Sequence, residues 1–320
     1  MAGIQDVARR AGVAPSTVSY VLSGRRSISL ETRKRVEDAI AELNYRPHAG
    51  ARSLASAKTQ VLGLVSPLRP GVDVNVIMQF VAGVATRARH YNHDVLLVTE
   101  RDATGIESVS LRSMVDAFLV MDIEAQDPRL ETLARLRQPC VLIGLPENPG
   151  SLSCIDLDFV AAGAMAVRKL EAAGHTRIAL IGSPPEVVKR QTAYAVWLAR
   201  GAESEAATRG VQLRRIPCDD DPVAAAAIVN DIIDAGEITG LIVHNESALP
   251  GVSSALDRRG PSVVDVVAIG PKALVFSQLT PFTVIDIPGV SIGSSAVDMA
   301  MDLLNDSPLP QVRLIAPRME

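Results

Sequence analysis

Aromatic side chains are scarce in this sequence: one Trp, four Tyr and five Phe in 320 residues. Few stacking platforms are therefore available, namely Phe80, Phe159, Trp197 and Phe276, and each is weighed first as core. Cysteine is scarcer still. Cys140, Cys154 and Cys218 have no metal-like spacing and cannot all pair, so buried thiols in a reduced cytoplasm are expected, and no metal. No apolar run reaches the roughly 18 residues of a membrane span. Asp6, Arg9 and Arg10 interrupt any leader-like start, so no secretory signal and no membrane association are expected. Neither Gly-x-Gly-x-x-Gly nor a phosphate loop occurs, which argues against nucleotide hydrolysis. His244 and Asn245 follow a strand, but no Ser or Cys nucleophile with an orienting carboxylate can be argued from spacing. Asp219-Asp220-Asp221 reads as a solvated loop, because consecutive side chains point different ways. The chain is read as a non-enzyme without a cofactor.

What is present begins at residue 4. IQDVARRAGVAPSTVSYVLS (4–23) places Ile4, Val7 and Ala8 on one face of a first helix and stops it at Gly12. A second helix follows, with Pro15 in its first turn and Val18, Val21 and Leu22 at helical spacing. Ser16, Thr17, Ser19 and Tyr20 occupy the outer face. Ser29 is a plausible N-cap for a third helix, with Glu31 in its first turn and Val36, Ala39, Ile40 and Leu43 as its buried stripe. Two short helices and a tight turn suit entry into the DNA major groove. Charge agrees. Residues 1–59 hold ten Lys/Arg and five acids, a balance of +5; the whole chain is −4, so the remainder carries −9. A basic head on an acidic body is the asymmetry expected where the head alone meets phosphate.

From Gln60 onward short apolar runs alternate with helical stretches. Strands are expected at 60–66, 94–99, 116–122, 140–144, 177–182, 212–218, 240–245, 264–270 and 282–286. Strand and helix in this alternation mean parallel sheets covered on both faces, and nine or ten strands divide into two doubly wound lobes. Ligands of such folds sit at the carboxyl ends of strands, here between lobes.

DVARRAGVAPSTVSYVLSG, TRKRVEDAIAELNYRP, ARSLAS and the strand VLGLVSP, in this order, resemble the amino-terminal region of the LacI/GalR (lactose-repressor) family of bacterial transcription regulators. More diffusely, VDAFLVMD, DLDFVAAGAMAVRKLEAAGHTRIALIG and GVSIGSSAVDMAMDLL look like landmarks of the same family. The resemblance implies an all-α helix-turn-helix head over 1–47 and a hinge helix over 48–58. It also implies an α/β core of two periplasmic-binding-protein-like lobes over 59–320. The first lobe is expected at about 59–157 plus 288–311, the second at about 158–287 plus 312–320. The implied function is a homodimeric, sequence-specific transcription regulator. It would repress from near-palindromic double-stranded operator DNA under control of a small-molecule effector in the interlobe cleft. The alternative is a ligand-insensitive DNA-binding protein whose core serves only dimerisation or a protein partner.

By the same resemblance, Ser16, Ser19 and Tyr20 read the major groove, with Thr17 and Ser23 nearby. Pro15 stands where a base-reading side chain is usual and has no donor. Ile4, Gln5, Ser27, Ser29, Thr32 and Tyr45 are expected to position the DNA backbone. In the hinge, Ala51 and Leu54 would enter the minor groove, Leu54 as an apolar wedge, with Arg52 beside them; His48 replaces a usual Asn. Ser66, Phe80, Asp158, Arg190, Asn245, Glu246 and Lys272 are the effector candidates. The family's Arg three residues before a Gly-aromatic pair is missing if Gly201 takes the Gly position, since Leu198 then replaces the Arg; Arg190 or Arg200 would substitute only on a different loop path. Gly270-Pro271-Lys272-Ala273 puts a cation where an acidic acceptor is usual. Lys272 is thus expected either to favour an anionic effector, or to stand in a salt bridge with Glu246 or reach solvent.

Overall fold

The structure is a computed structural model that describes residues 3–23, 26–45, 58–100, 102–260, 264–305 and 311–320. Three helices form the head: α1 (Ile4–Ala11), α2 (Pro15–Ser23) and α3 (Leu30–Glu42). The Gly3 N–H donates to the Asp6 carboxylate at 2.9 Å, closing the first turn of α1. Gly12 ends that helix at φ 64, a conformation a side chain would strain. Ser29 Oγ caps α3 by accepting from the Thr32 N–H at 3.3 Å. Val7, Ala8, Ala11, Val18, Val36 and Ala39 make the small core of this unit. Arg35 reaches back from α3 and donates to the carbonyls of Ala11 and Gly12, so a cation sits on the C-terminal end of α1.

The core begins with a carboxylate anchor. Asp116 accepts from the Thr59 N–H (2.6 Å), the Thr59 hydroxyl (2.9 Å) and the Gln60 N–H (2.8 Å), fixing the chain where it enters the first strand. That strand, β1 (Val61–Val65), is followed by α4 (Val74–His90), β2 (Asp94–Val98), α5 (Ala103–Leu111), β3 (Ala117–Val120), α6 (Leu130–Arg135), β4 (Cys140–Ile143) and β5 (Ser153–Leu157). Next come α7 (Phe159–Ala172), β6 (Arg177–Gly182), α8 (Pro185–Lys189), α9 (Ala193–Arg209), β7 (Gln212–Pro217) and α10 (Pro222–Ala235). The chain closes with β8 (Gly240–Val243), α11 (Leu249–Arg259), β9 (Asp265–Gly270), α12 (Lys272–Phe276), β10 (Thr283–Asp286), α13 (Gly289–Leu304) and β11 (Val312–Ile315).

The strands form two parallel sheets, ordered β11-β5-β4-β3-β1-β2 and β10-β9-β8-β6-β7. All nine expected strands are present, each within two residues of the expected ends, and β5 and β11 are additions. Strand β5 reads SCIDL, buried at every position yet interrupted by Ser153 and Asp156, so no continuous apolar run announces it. Strand β11 corrects the expected lobe boundary. Val312–Ile315 pair with Cys154–Leu157 in the first sheet, where the open edge of β5 satisfies their backbone groups. Only the following residues return to the second lobe, where Glu320 and Val284 exchange backbone hydrogen bonds at 2.9 and 3.1 Å.

Each lobe is held by a pair of helices in close contact. In the first, a Cβ on Gly83 of α4 would lie 2.1 Å from the Val290 carbonyl, and one on Gly293 of α13 would lie 2.4 Å from the Phe80 carbonyl. In the second, Gly163 of α7 faces the Leu198 carbonyl at 2.2 Å and Gly201 of α9 faces the Val160 carbonyl at 2.1 Å, by the same measure. Reciprocal glycines let two backbones touch. The three cysteines are free and buried, and burial pushes their thiols up to about 12 (Cys140), 12 (Cys154) and 11 (Cys218), which suppresses the reactive thiolate.

Candidate functional site

Two surfaces stand out, one on the head and one between the lobes. On the head, Pro15 and Ser16 are exposed, Thr17 and Ser19 half-buried, and Tyr20 is 37% exposed with the Arg26 guanidinium 5.7 Å from its ring centroid. Gln5, Ser27 and Ser29 are also exposed, while Ile4 and Thr32 are half-buried. The Ser29 hydroxyl donates to Thr32 Oγ1 at 2.9 Å, so both side chains serve the start of α3. Tyr45 departs from expectation: it is 6% exposed, packed in the core of the head because the chain turns inward after α3. The Ser23 side chain and residues His48, Ala51, Arg52 and Leu54 lie outside the described residues.

The second surface is a cavity of about 970 Å³, counting its solvent-open mouth. Its wall comes from the carboxyl ends of strands in both sheets: Ser66 after β1, Asp122 after β3, Asp156 on β5, Ser183 after β6, and His244, Asn245 and Glu246 after β8. Phe80 of α4, Phe159 of α7 and Tyr194 of α9 add rings from three helices. Phe159, Tyr194 and His244 pack on one another with centroids 5.5–6.0 Å apart. Of the seven effector candidates, Ser66, Phe80, Asn245 and Glu246 meet on this wall. Asp158 does not: it caps α7, accepting from the Ala161 N–H at 2.8 Å. Tyr194, His244, Asp122 and Asp156 were missed. A continuous apolar run ending in a polar residue marks Asp122 and His244, but nothing in the sequence marks Tyr194 or Asp156 as neighbours of the cleft.

Two readings of this region are overturned. Gly201 is two turns inside α9, against Val160, so Leu198 belongs to helix packing and is 1% exposed. The pair at the start of α9 is Ala193-Tyr194, on the cavity wall, and Arg190 precedes it by three residues. The loop does run differently, and the Arg is retained. Lys272 is the second case. Its ammonium lies 3.2 Å from Glu320 on a side chain 52% exposed, and it is absent from the cavity wall. Neither an anion-binding role in the cleft nor a pair with Glu246 survives, because the returning C-terminal segment supplies a nearer carboxylate.

At one rim, charges balance in number. Asp122 takes Arg69 at 3.1 Å and Arg190 at 3.5 Å, Arg69 also faces Glu124 at 3.4 Å, and Arg129 pairs with Asp127 at 2.7 Å. This cluster joins the lobes, since Arg190 follows α8 while Asp122 follows β3. Backbone bonds from Ala125 N–H to the Gln191 carbonyl and from Ala193 N–H to the Ile123 carbonyl, both 2.8 Å, reinforce the junction. So does the Trp197 indole N–H, which donates to the Leu145 carbonyl at 2.6 Å. Elsewhere on the wall, burial pushes the carboxyls of Asp156 and Glu246 up to about 7 and the His244 imidazole down to about 4.

Residues 3–48 match the family described as bacterial regulatory proteins, lacI family, and residues 152–319, over half the chain, match the periplasmic binding protein-like domain. The chain belongs to the LacI family of transcription regulators. Among its relatives, the transcriptional regulator AglR of Rhizobium meliloti is 35% identical over 188 residues, spanning 57% of this chain and 52% of that protein. The regulator MalR of Streptococcus pneumoniae is 26% identical over 95% of this chain and 93% of its own length. A crystal structure of the Lac repressor dimer bound to operator and the anti-inducer ONPF superposes with a TM-score of 0.82 at 21% identity, covering 99% of this chain and 97% of that one. This LacI-family chain therefore carries the full head-and-two-lobe fold. No helix among its described residues is long and apolar enough to cross a membrane.

Proposed function

We propose that this LacI-family regulator is a dimeric repressor that binds near-palindromic operator DNA through its two heads and is controlled by a small molecule held between its lobes. One observation supports the reading above others: a helix-turn-helix head with its outer face exposed shares a chain with a two-lobed core whose cleft is lined from both lobes. A ligand bridging Ser66 and Phe80 on one side and Tyr194 and Asn245 on the other would bias how the lobes sit together. The ends of the strands crossing between lobes would carry that bias towards the head. Ser16, Ser19 and Tyr20 take the base-reading role. The hinge residues Ala51, Arg52 and Leu54 are proposed to order on the operator.

Several cations of the head are already engaged: Arg9 with Asp6 at 3.4 Å, Arg10 with Glu42 at 2.6 Å, and Arg35 with the turn carbonyls. Further Lys and Arg side chains of the head are proposed to meet phosphate. The dimer is expected to bind DNA with a log–log salt slope of about −5 to −9. Titration of a genomic operator fragment at four salt concentrations checks this, and a slope shallower than about −2 rules out two heads on one site. The cleft is tested separately, by asking whether any small molecule that raises the melting temperature also changes operator affinity.

A further inference from the structure

The charge in the cleft is uneven. Three arginines and three acids make up the rim cluster: Arg69, Arg129 and Arg190 against Asp122, Glu124 and Asp127. That region is balanced. Elsewhere the wall carries Asp73, Asp156 and Glu246 and, among the described residues, no Lys or Arg. Asp156 accepts from the backbone N–H groups of Leu145 (3.2 Å) and Leu157 (2.9 Å), and neither it nor Glu246 has an ion-pair partner among the described residues. His244 gives a second, independent sign. It is 4% exposed, lines the cavity, and neither ring nitrogen has a hydrogen-bond partner among the described residues. A buried polar ring without a partner is a group waiting for one.

The chain's few rings converge here as well. Phe159 and Tyr194 pack with His244 into one wall, and Tyr194 is close enough to Glu246 to feel its charge. An aromatic surface next to an uncompensated carboxylate is the combination that holds an organic cation, the ring faces supplying cation–π attraction and the acid a counter-charge. An anionic ligand would face carboxylates with no cation on the wall, which disfavours phosphorylated and carboxylated metabolites.

We infer that the effector carries a positively charged nitrogen, an amino sugar or another hydroxylated ammonium compound, seated against Glu246 and the Phe159–Tyr194–His244 wall. The inference rests on the cleft being the effector site. The ammonium donates to Glu246, hydroxyls meet Asn245 and Ser183, and the His244 ring nitrogen accepts from the ligand.

The test uses the full-length dimer and matched probes in calorimetry and thermal melting: D-glucosamine against D-glucose, choline against its neutral isostere 3,3-dimethylbutan-1-ol, and glucose 6-phosphate as the anion. The expected result is that, in at least one pair, the ammonium member binds at least tenfold tighter than its neutral partner and glucose 6-phosphate does not bind. Glu246→Gln should remove that tenfold preference, while Lys272→Gln, outside the cleft, leaves it intact. Glu246→Gln is nearly isosteric, and its unliganded melting temperature should rise at pH 8, since an unpaired buried charge is lost; this separates lost recognition from misfolding. If a neutral sugar binds as well as its amine, and Glu246→Gln does not weaken it, the cation reading falls and the cleft reading stands. If no probe of any charge shifts melting, the cation reading falls. If, further, no compound in a broad metabolite screen changes operator affinity, the cleft reading falls with it.

Discussion

Tyr20 shows how one side chain can be read from sequence and completed by structure. Its place on the second helix follows from period, and its exposure follows from the apolar positions around it turning inward. What the fold adds is Arg26, held 5.7 Å from the ring, so that aromatic edge and cation present together. Tyr20→Ala is expected to relax base preference at one pair in each half-site by roughly 1–3 kcal/mol. A randomised-site selection checks it; a binding logo identical to that of the parent would make Tyr20 a packing residue. Arg190 teaches the converse. Three residues upstream of Ala193-Tyr194, it sits in the expected pattern only once α9 is known to begin at Ala193.

At the level of elements, the helix pairs α4–α13 and α7–α9 are the stiff parts of the lobes. Their glycines do not serve turns; they remove side chains where a neighbouring carbonyl would otherwise be struck. Gly201→Ala places a Cβ 2.1 Å from the Val160 carbonyl, which the backbone cannot yield without separating α7 from α9. Overpacking of this kind costs about 1–3 kcal/mol. Chemical denaturation of the variant should show that loss, and a change below about 0.5 kcal/mol would mean the pair is loosely held. A sheet edge carries a similar lesson. Residues 312–315 belong with β5 through backbone pairing, although their side chains, mostly exposed, gave no hint of which lobe would take them.

For the whole molecule, the buried acids of the cleft link stability to pH. The folded-state values of Asp156 and Glu246, about 7, lie above their ordinary values of 3.8 and 4.5. The fold therefore prefers the protonated forms: their contribution is fully present below the ordinary values and is lost as pH rises through about 7. His244 works oppositely. Held down to about 4 from 6.5, it contributes stability above 6.5 that is lost as pH falls towards 4. The acids facing Glu246, Asp73 and Asp220, and the Asp158 carboxylate near Asp156 act in the same direction as burial. Raising pH from 6 to 8 is expected to remove about 1 kcal/mol per carboxyl, lowering the melting temperature of the unliganded protein by roughly 2–4 °C. Melting curves across that range check it, and Glu246→Gln should flatten the fall by about half. A melting temperature that rises from pH 6 to 8 would place these carboxylates in solvent.

Local rules were enough for most of the architecture. Helix caps at Gly12 and Ser29, the 3.6 period of the head, the run of buried parallel strands and the split between a basic head and an acidic body all act between near neighbours or through composition, so they are written along the chain. The cleft is different. Ser66, Phe80, Asn245 and Glu246 were legible because strand ends of a doubly wound sheet always face its crevice. Tyr194 and Asp156 were not, and the choice between alternatives for Arg190 and Lys272 stayed open, because their partners lie far off in sequence. Lys272 turns to Glu320, forty-eight residues on, only because the last strand crosses to the first lobe and the tail returns. Which charges are compensated, and which are left for a ligand, depends on where two separate lobes bring their loops together. That closure is a property of tertiary packing, since no local interaction records the distance between Arg190 and Asp122.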